Sequence, residues 1–385
     1  MAAVTTGQEN AELQQAAAQP TASLPLAPVP AKRITSHSNL ERDIHMRHWA
    51  EHALVGRTLT LQGADIIVSP AIDLHDPKLT PPWTDDGSKT LSRVSLFTAT
   101  SKMGAPSYSL PVGPPSFGGS CPGSLAGMST VPPAAYNAQK KVVLQVLRAT
   151  NPGLPTPANY PPEDAVCQNC YVAKGNHAAY WGNNLRIVIR YAWTRAAVDQ
   201  GLFASSIISA LHSAEFPQEP PAIAHLKQRY FRIHDAGDFY SPQYLEAWWQ
   251  IAKAYDGRTP GMPRTVFWAP TRIWATPWGN KAVARVNGGS RFLDNFVIRP
   301  SGYVIDAPGP DYAIGPATGY ASPTTVGRSK SVKAVLEGKA PPIFDWQCPA
   351  QEHSGSCLSS PNPMGSMGCR VCWVAPAVRV SYGLH

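Results

Sequence analysis

The sequence predicts an α/β protein, a TIM-like (β/α) barrel with long Pro/Gly-rich loops and a C-terminal Cys-rich metal-binding segment. Three observations predict it. Strand-like apolar runs alternate with amphipathic helix-like runs between residues 228 and 299, and that alternation builds parallel sheets. Proline makes up 39 of 385 residues, so many connections are stiff and few helices run unbroken. Four cysteines fall between Cys348 and Cys372. An open doubly wound sheet is the alternative, because eight clean strands cannot be counted. The chain divides into a disordered arm at 1–33, a barrel-like catalytic domain at 34–340 and a metal-binding tail at 341–385 packed on it.

The elements follow in order. Residues 1–33 are rich in Ala, Gln, Pro and Thr and cannot bury enough apolar surface to fold. Ser38 caps a helix that carries apolar residues at helical spacing. LVGRTLTL and ADIIVSPAI read as strands. SKMGAPSYSLPVGPPSFGGSCPG reads as a long irregular loop, and such loops carry function. A helix is expected at Tyr136–Arg148. Two more are expected at Asn184–Asp199 and Leu202–His212. Then come a strand at Gln228–His234, a helix at Pro242–Tyr255, a strand at Thr265–Ala269, a short helix at Lys281–Val286 and a strand at Asn295–Arg299. VRVSYGLH supplies a last strand.

Composition bounds the function. The formal net charge is +8, which favours a polyanionic partner such as DNA. No run approaches the ~18 apolar residues a membrane helix needs. The start lacks the basic and apolar segments of a signal peptide. The expectation is a cytoplasmic protein with reduced thiols.

Seven cysteines in that setting point to metal ligands or catalytic thiols rather than disulfides. The tail reads C-x8-C-x11-C-x2-C through Cys348, Cys357, Cys369 and Cys372. Two thiolates on one tight turn reach one tetrahedral ion, and four complete a Zn2+ site. An iron–sulfur cluster is the alternative cofactor. A second set comprises Cys121, Cys167 and Cys170, with His177 as a possible fourth ligand. Three thiolates with an open position also describe a radical-SAM cluster, although the 45-residue gap after Cys121 departs from its compact spacing.

The segment RYFRIHDAGDFYSPQYLEAWWQIAKAY carries the strongest chemical signal. An apolar strand runs into His234, Asp235, Gly237 and Asp238. Ser241-Pro242 then opens a helix, with Ser as cap and Pro in the first turn. This places two carboxylates at the C-terminal end of a parallel strand, where such sheets put catalytic groups. Paired carboxylates divide into nucleophile and acid–base partner. The next strand ends near Trp268 and Arg272, which suit base stacking and phosphate contact. Lys102 and Ser107 offer polar groups on the glycine-rich loop. His234 completes the candidate substrate-binding set.

The combination of SKMGAPSYSLP, a following CP, CxxCY, RIHDAGDFYS and a CPAQ…C…CxxCW tail resembles the phage gene-product-eighty-eight domain family, from about Ser101 to His385. Some members are similar to the DpdA group of DNA-guanine transglycosylases, which are barrels with a zinc site near the C-terminus. The resemblance implies exchange of guanine in phage DNA for a free 7-deazaguanine base such as preQ0. Restriction evasion would be the outcome. In this reading Asp238 attacks the sugar, and Asp235 is the acid–base partner or reads the base. Two rival readings are a radical-SAM-like iron–sulfur enzyme and a non-catalytic zinc-stabilised nucleic-acid-binding protein.

Overall fold

The computed structural model describes residues 58–61, 64–67, 96–100, 104–113, 119–122, 166, 181–214, 216, 228–302, 312–314, 319–321, 324–327, 333, 337–339, 345–349, 357, 369–374 and 378–383. The expected arm at 1–33, the helix after Ser38 and the helix at Tyr136–Arg148 lie outside these residues.

Strands β1 (Thr58–Leu61) and β2 (Ala64–Ile67) pair antiparallel, with Leu61 opposite Ala64. The main sheet follows. It contains β3 (Thr98–Thr100), β4 (Ala105–Tyr108), β5 (Arg229–Ile233), β6 (Thr265–Thr271) and β7 (Phe296–Pro300), in that spatial order. β3 runs antiparallel to β4, whereas β4 through β7 are parallel. Helix α1 (Trp181–Asp199) and α2 (Phe203–Ser213) precede β5. Helix α3 (Pro242–Ala254) links β5 to β6, and α4 (Pro277–Asn287) links β6 to β7.

Both crossover helices begin the same way. The Ser241 side chain accepts from the Tyr244 amide and Pro242 sits in the first turn. Thr276 accepts from the Gly279 amide, with Pro277 next. Each cap satisfies an otherwise orphaned amide. α4 therefore starts four residues before the expected Lys281, because Thr276-Pro277 outweighs the unpromising Trp-Gly-Asn that follows.

Strand residues alternate between two faces. Phe231, Ile233, Phe267, Ala269, Phe296 and Ile298 pack against the four helices in one core with Trp248, Tyr244 and Phe203. We call this the helix face. Tyr230, Val266, Trp268 and Val297 point the other way and pack against the tail. We call this the tail face. Asn295, fully buried, donates to the carbonyls of Ala252, Tyr255 and Thr265. That one amide ties the end of α3 to the start of β6 and β7.

One expectation fails here. The stretch containing Ala105–Tyr108 was expected to be irregular loop, yet it is a fully buried inner strand. Pro106, Ser107 and the flanking glycines conceal it, since Pro cannot donate to the ladder and is rare in inner strands.

A second sheet joins β10 (Thr324–Gly327), just before the tail, to the tail strands β11 (Trp346–Gln347) and β12 (Val380–Gly383), all parallel and ordered β10-β12-β11. β12 is the expected last strand. A hairpin of β8 (Tyr312–Ile314) and β9 (Gly319–Ala321) precedes them. A one-turn helix, α5 (Val371–Val374), sits on the tail face. Its Trp373 is buried, meets Tyr230 and Trp268 edge-on, and donates to the Phe231 carbonyl. Arg299 of β7, fully buried, donates to the carbonyls of Cys372, Val378 and Val371. A guanidinium has five donors in a fixed fork, so one side chain holds three carbonyls of the tail.

Candidate functional site

The loop after β5 is built on its neighbour after β4. His234 donates its amide to Tyr108, and Leu110 donates to Ala236. The Ser120 hydroxyl accepts from the Asp238 amide and donates to the Pro111 carbonyl. Gly237 has φ 87 and its Cα lies against Ser120 and Leu110. A side chain there would be both strained and obstructed. The loop that carries both aspartates is thus fixed by backbone bonds rather than by side-chain packing alone.

Asp238 is 6% exposed. Its Oδ1 accepts from Thr271 Oγ1 at 2.5 Å and from the Phe239 amide at 2.8 Å, and its Oδ2 accepts from the Arg272 amide at 2.8 Å. This carboxylate joins the end of β5 to the end of β6. Burial pushes its pKa up to about 6, while those three hydrogen bonds pull it down.

Asp235 has a different environment. Its Oδ1 lies 3.1 Å from Arg232 Nη1, and the two side chains are only 10% and 15% exposed. The Arg232 guanidinium lies over the Trp268 ring at 4.8 Å, a cation–π distance. Ser107 of β4 stands opposite Arg232 in the ladder and donates to the Thr98 carbonyl. Asp235, Arg232, Ser107 and Trp268 therefore share the tail-face end of the sheet. Trp268 packs with Trp373 in the tail-face core.

His234 goes to the helix face. Its Nε2 is 3.1 Å from the Tyr244 hydroxyl and its ring meets Phe239 edge-on at 4.5 Å. Burial, with the Arg232 charge adding to it, lowers its pKa to about 3. Burial therefore favours its neutral imidazole, which carries a single ring N–H. Arg272 donates Nε to the Gly302 carbonyl, at the edge where Asp238 is tied. Lys102, Cys167, Cys170 and His177 lie outside the described residues.

Cys121 packs with Val112 and Ala236, beside the aspartate loop. The tail cysteines gather elsewhere. Cys369 and Cys372 are buried in the tail-face core, and Cys348 and Cys357 pack against it. Cys372 Sγ is 2.9 Å from the Tyr382 hydroxyl. Burial, reinforced by Cys372 and Cys369, pushes the Cys357 thiol up to about 12. The four sulfurs are right in kind for zinc. Among the described residues, however, no three His, Cys, Asp or Glu side chains come together as ligands of one ion.

Sequence reasoning missed Arg232 and Ser120 as parts of the site. Thr271 is expected at the end of its strand, and it is found there, donating to Asp238. Arg232 carried a faint signal: a charged residue in a strand whose same-face neighbour, Tyr230, is apolar.

The fold and the strand-end site define a mixed α/β protein with four parallel strands, helices on one face and buried carboxylates at the C-terminal strand ends. The chain belongs to the phage family Gene product 88, whose model matches residues 84–321. That span contains both aspartates and Cys121 and stops before the tail cysteines. No curated protein and no solved structure matches the chain. Among the described residues no helix is long and apolar enough to cross a membrane.

Proposed function

We propose that this protein is a DNA-guanine transglycosylase that replaces guanine in phage DNA with a free 7-deazaguanine base such as preQ0, in the host cytoplasm, so that the DNA evades restriction. One observation carries the reading: Asp235 is paired with Arg232, whose guanidinium lies over Trp268, at the C-terminal ends of the parallel strands.

A guanosine flipped from the duplex would bring its anomeric carbon to the carboxylate. The carboxylate oxygen forms a bond to C1′ as the bond to guanine N9 breaks, through an oxocarbenium-like transition state. The leaving base takes the electron pair and a proton. The incoming base then gives up its N9 proton, attacks C1′ and displaces the carboxylate. No redox step is needed. The geometry favours exchanging the two aspartate roles read from sequence. Asp238 spends both oxygens on three donors, whereas Asp235 shares the tail-face end with a stacked guanidinium. Asp238 then serves to hold the loop.

The reading includes closure of the sheet into a (β/α) barrel. Supporting it, the strand order follows the chain order and the helices cover one face. It also includes Zn2+ as a structural ion of the tail, supported by the ligand chemistry of Cys348, Cys357, Cys369 and Cys372 and their place in one packed cluster, although among the described residues no three of them stand as ligands of one ion. Elemental analysis of the purified protein tests that, with one zinc per chain expected.

Base exchange itself is tested by incubating the protein with DNA and labelled preQ0. Wild type should incorporate label, and Asp235→Asn should lose at least roughly 1000-fold in rate. Wild-type protein that incorporates nothing, or an Asp235→Asn variant that matches it, rejects the reading.

One observation favours a second reading, a radical-SAM-like iron–sulfur enzyme. Cys121 packs on Ala236, in the loop between β5 and α3 that carries both aspartates. Anaerobically purified protein that is brown and contains iron would support it, and colourless iron-free protein would remove it.

A further inference from the structure

His234 breaks the face alternation of β5. Tyr230 lies on the tail face, Phe231 on the helix face, Arg232 on the tail face and Ile233 on the helix face. A regular strand would continue the pattern. His234 would then face the tail and Asp235 would face the helices. The opposite is observed. The His234 ring packs on Tyr244 and Phe239 on the helix side, and Asp235 pairs with Arg232 on the tail side.

The cause is in the backbone. His234 has φ 63, and it is the one non-glycine residue at positive φ among the described residues. A left-handed residue reverses the turn of the chain at that point, so the next side chain leaves from the other face. Such a conformation is costly for a residue with a Cβ and persists only where its surroundings enforce it. Here they do. The amide of His234 is bound to Tyr108, its ring is 2% exposed, and Nε2 meets the Tyr244 hydroxyl. Its other ring nitrogen, Nδ1, has no hydrogen-bond partner among the described residues. The position is thus not explained by full hydrogen-bond satisfaction.

We infer that His234 is the positioning residue of the site: its left-handed backbone, locked by the ring's packing, switches Asp235 from the helix face to the face bearing Arg232 and Trp268. The inference rests on the proposed base exchange only for its kinetic readout, because the switch itself is visible in coordinates.

Three substitutions separate positioning from packing. Glycine and asparagine accept positive φ, whereas valine, being β-branched, strongly resists it. If His234 positions Asp235, crystal structures of His234→Gly and His234→Asn keep the Asp235–Arg232 ion pair. In His234→Val, Asp235 returns to the helix face and the pair opens beyond ~4 Å. Base-exchange rate follows the same ranking, with His234→Val falling to the level of Asp235→Asn and His234→Asn keeping turnover. A residue needed only for packing gives the reverse order, with glycine, which deletes the ring, the worst. Should the valine variant not fold, His234→Ala, a milder residue with the same preference, takes its place. An ion pair that survives in the valine or alanine variant overturns the inference. If wild type exchanges no base, the proposed reaction fails, while the ion-pair geometry of the variants still decides the role of His234.

Discussion

The helix face and the tail face of the parallel sheet are made from different materials, although the same strands supply both. On the helix face the contacts are aliphatic and aromatic, centred on Trp248, Tyr244 and Phe203. On the tail face buried Arg299 and Arg370 and half-buried Arg232 interleave with Trp268, Trp373 and the tail thiols. The first kind of surface loses stability in proportion to what is removed, since burial energy scales with area. The second depends on each polar group keeping its partner, since an orphaned buried group costs more than a bond gains. A sheet that merely needed covering would use the first kind twice. The polar face is where Asp235 is delivered.

The comparison can be broken, beginning with the largest effect. Trp248→Ala removes a fully buried indole from the helix face and should cost about 3–5 kcal/mol, measured by urea unfolding. A loss under about 1 kcal/mol would mean that this face is not the main core. Next, Arg299→Met leaves three tail carbonyls without their donor. It should cost about 3 kcal/mol and expose the tail to proteolysis while the region 229–300 resists. Buried charges replaced by well-packed apolar groups are sometimes stabilising. A more stable Arg299→Met protein would therefore show that the tail face is held by apolar contact after all.

The smallest net effect concerns pH and the strand-end loop. The folded Asp238 carboxyl is raised to about 6, so the folded state binds that proton more tightly than the unfolded chain. Its contribution is present at low pH and is lost as pH rises from the usual carboxylate value through about 6. The folded His234 is lowered to about 3. Its contribution is present above the ordinary histidine value and is lost as pH falls toward about 3. Between about pH 4 and 6 the two slopes oppose each other. Asp238→Asn removes one of them, so its stability should climb more steeply with pH than that of wild type, read from unfolding midpoints across that window. Parallel curves would show that Asp238 does not titrate there.

Much of the central fold was legible before any coordinates. The elements from β5 to β7 fall within a residue or two of expectation, the start of α4 excepted. Their apolar periodicity is strong, and Ser241-Pro242 announces a helix start. β4 was not legible, because a strand of Ala-Pro-Ser-Tyr carries no alternation. The strand-end aspartates were legible by position and residue type. Which face each one meets was not, because period-two alternation predicts the wrong face for both His234 and Asp235. One backbone angle overrides the pattern, and nothing in the letters His-Asp-Ala-Gly announces that angle except the glycine two residues after Asp235. The four tail cysteines do share one packed cluster, but their spacing alone did not show how the sulfurs stand to one another. Their seat on the back of the parallel sheet was not legible either, since no local pattern links Trp373 to Tyr230 across more than a hundred residues.

The order in which the chain is made has a consequence for the tail face. β5, β6 and β7 are neighbours in sequence as well as in space, so they can assemble once residue 300 has left the ribosome. α5 starts at Val371, about 70 residues later, or roughly 4–14 s at ordinary synthesis rates. Through that interval Tyr230, Val266, Trp268 and Val297 have no cover from α5. Newborn chains would be at their most adhesive then, and slowing translation downstream of β7 should raise the fraction captured by chaperones or lost to aggregates.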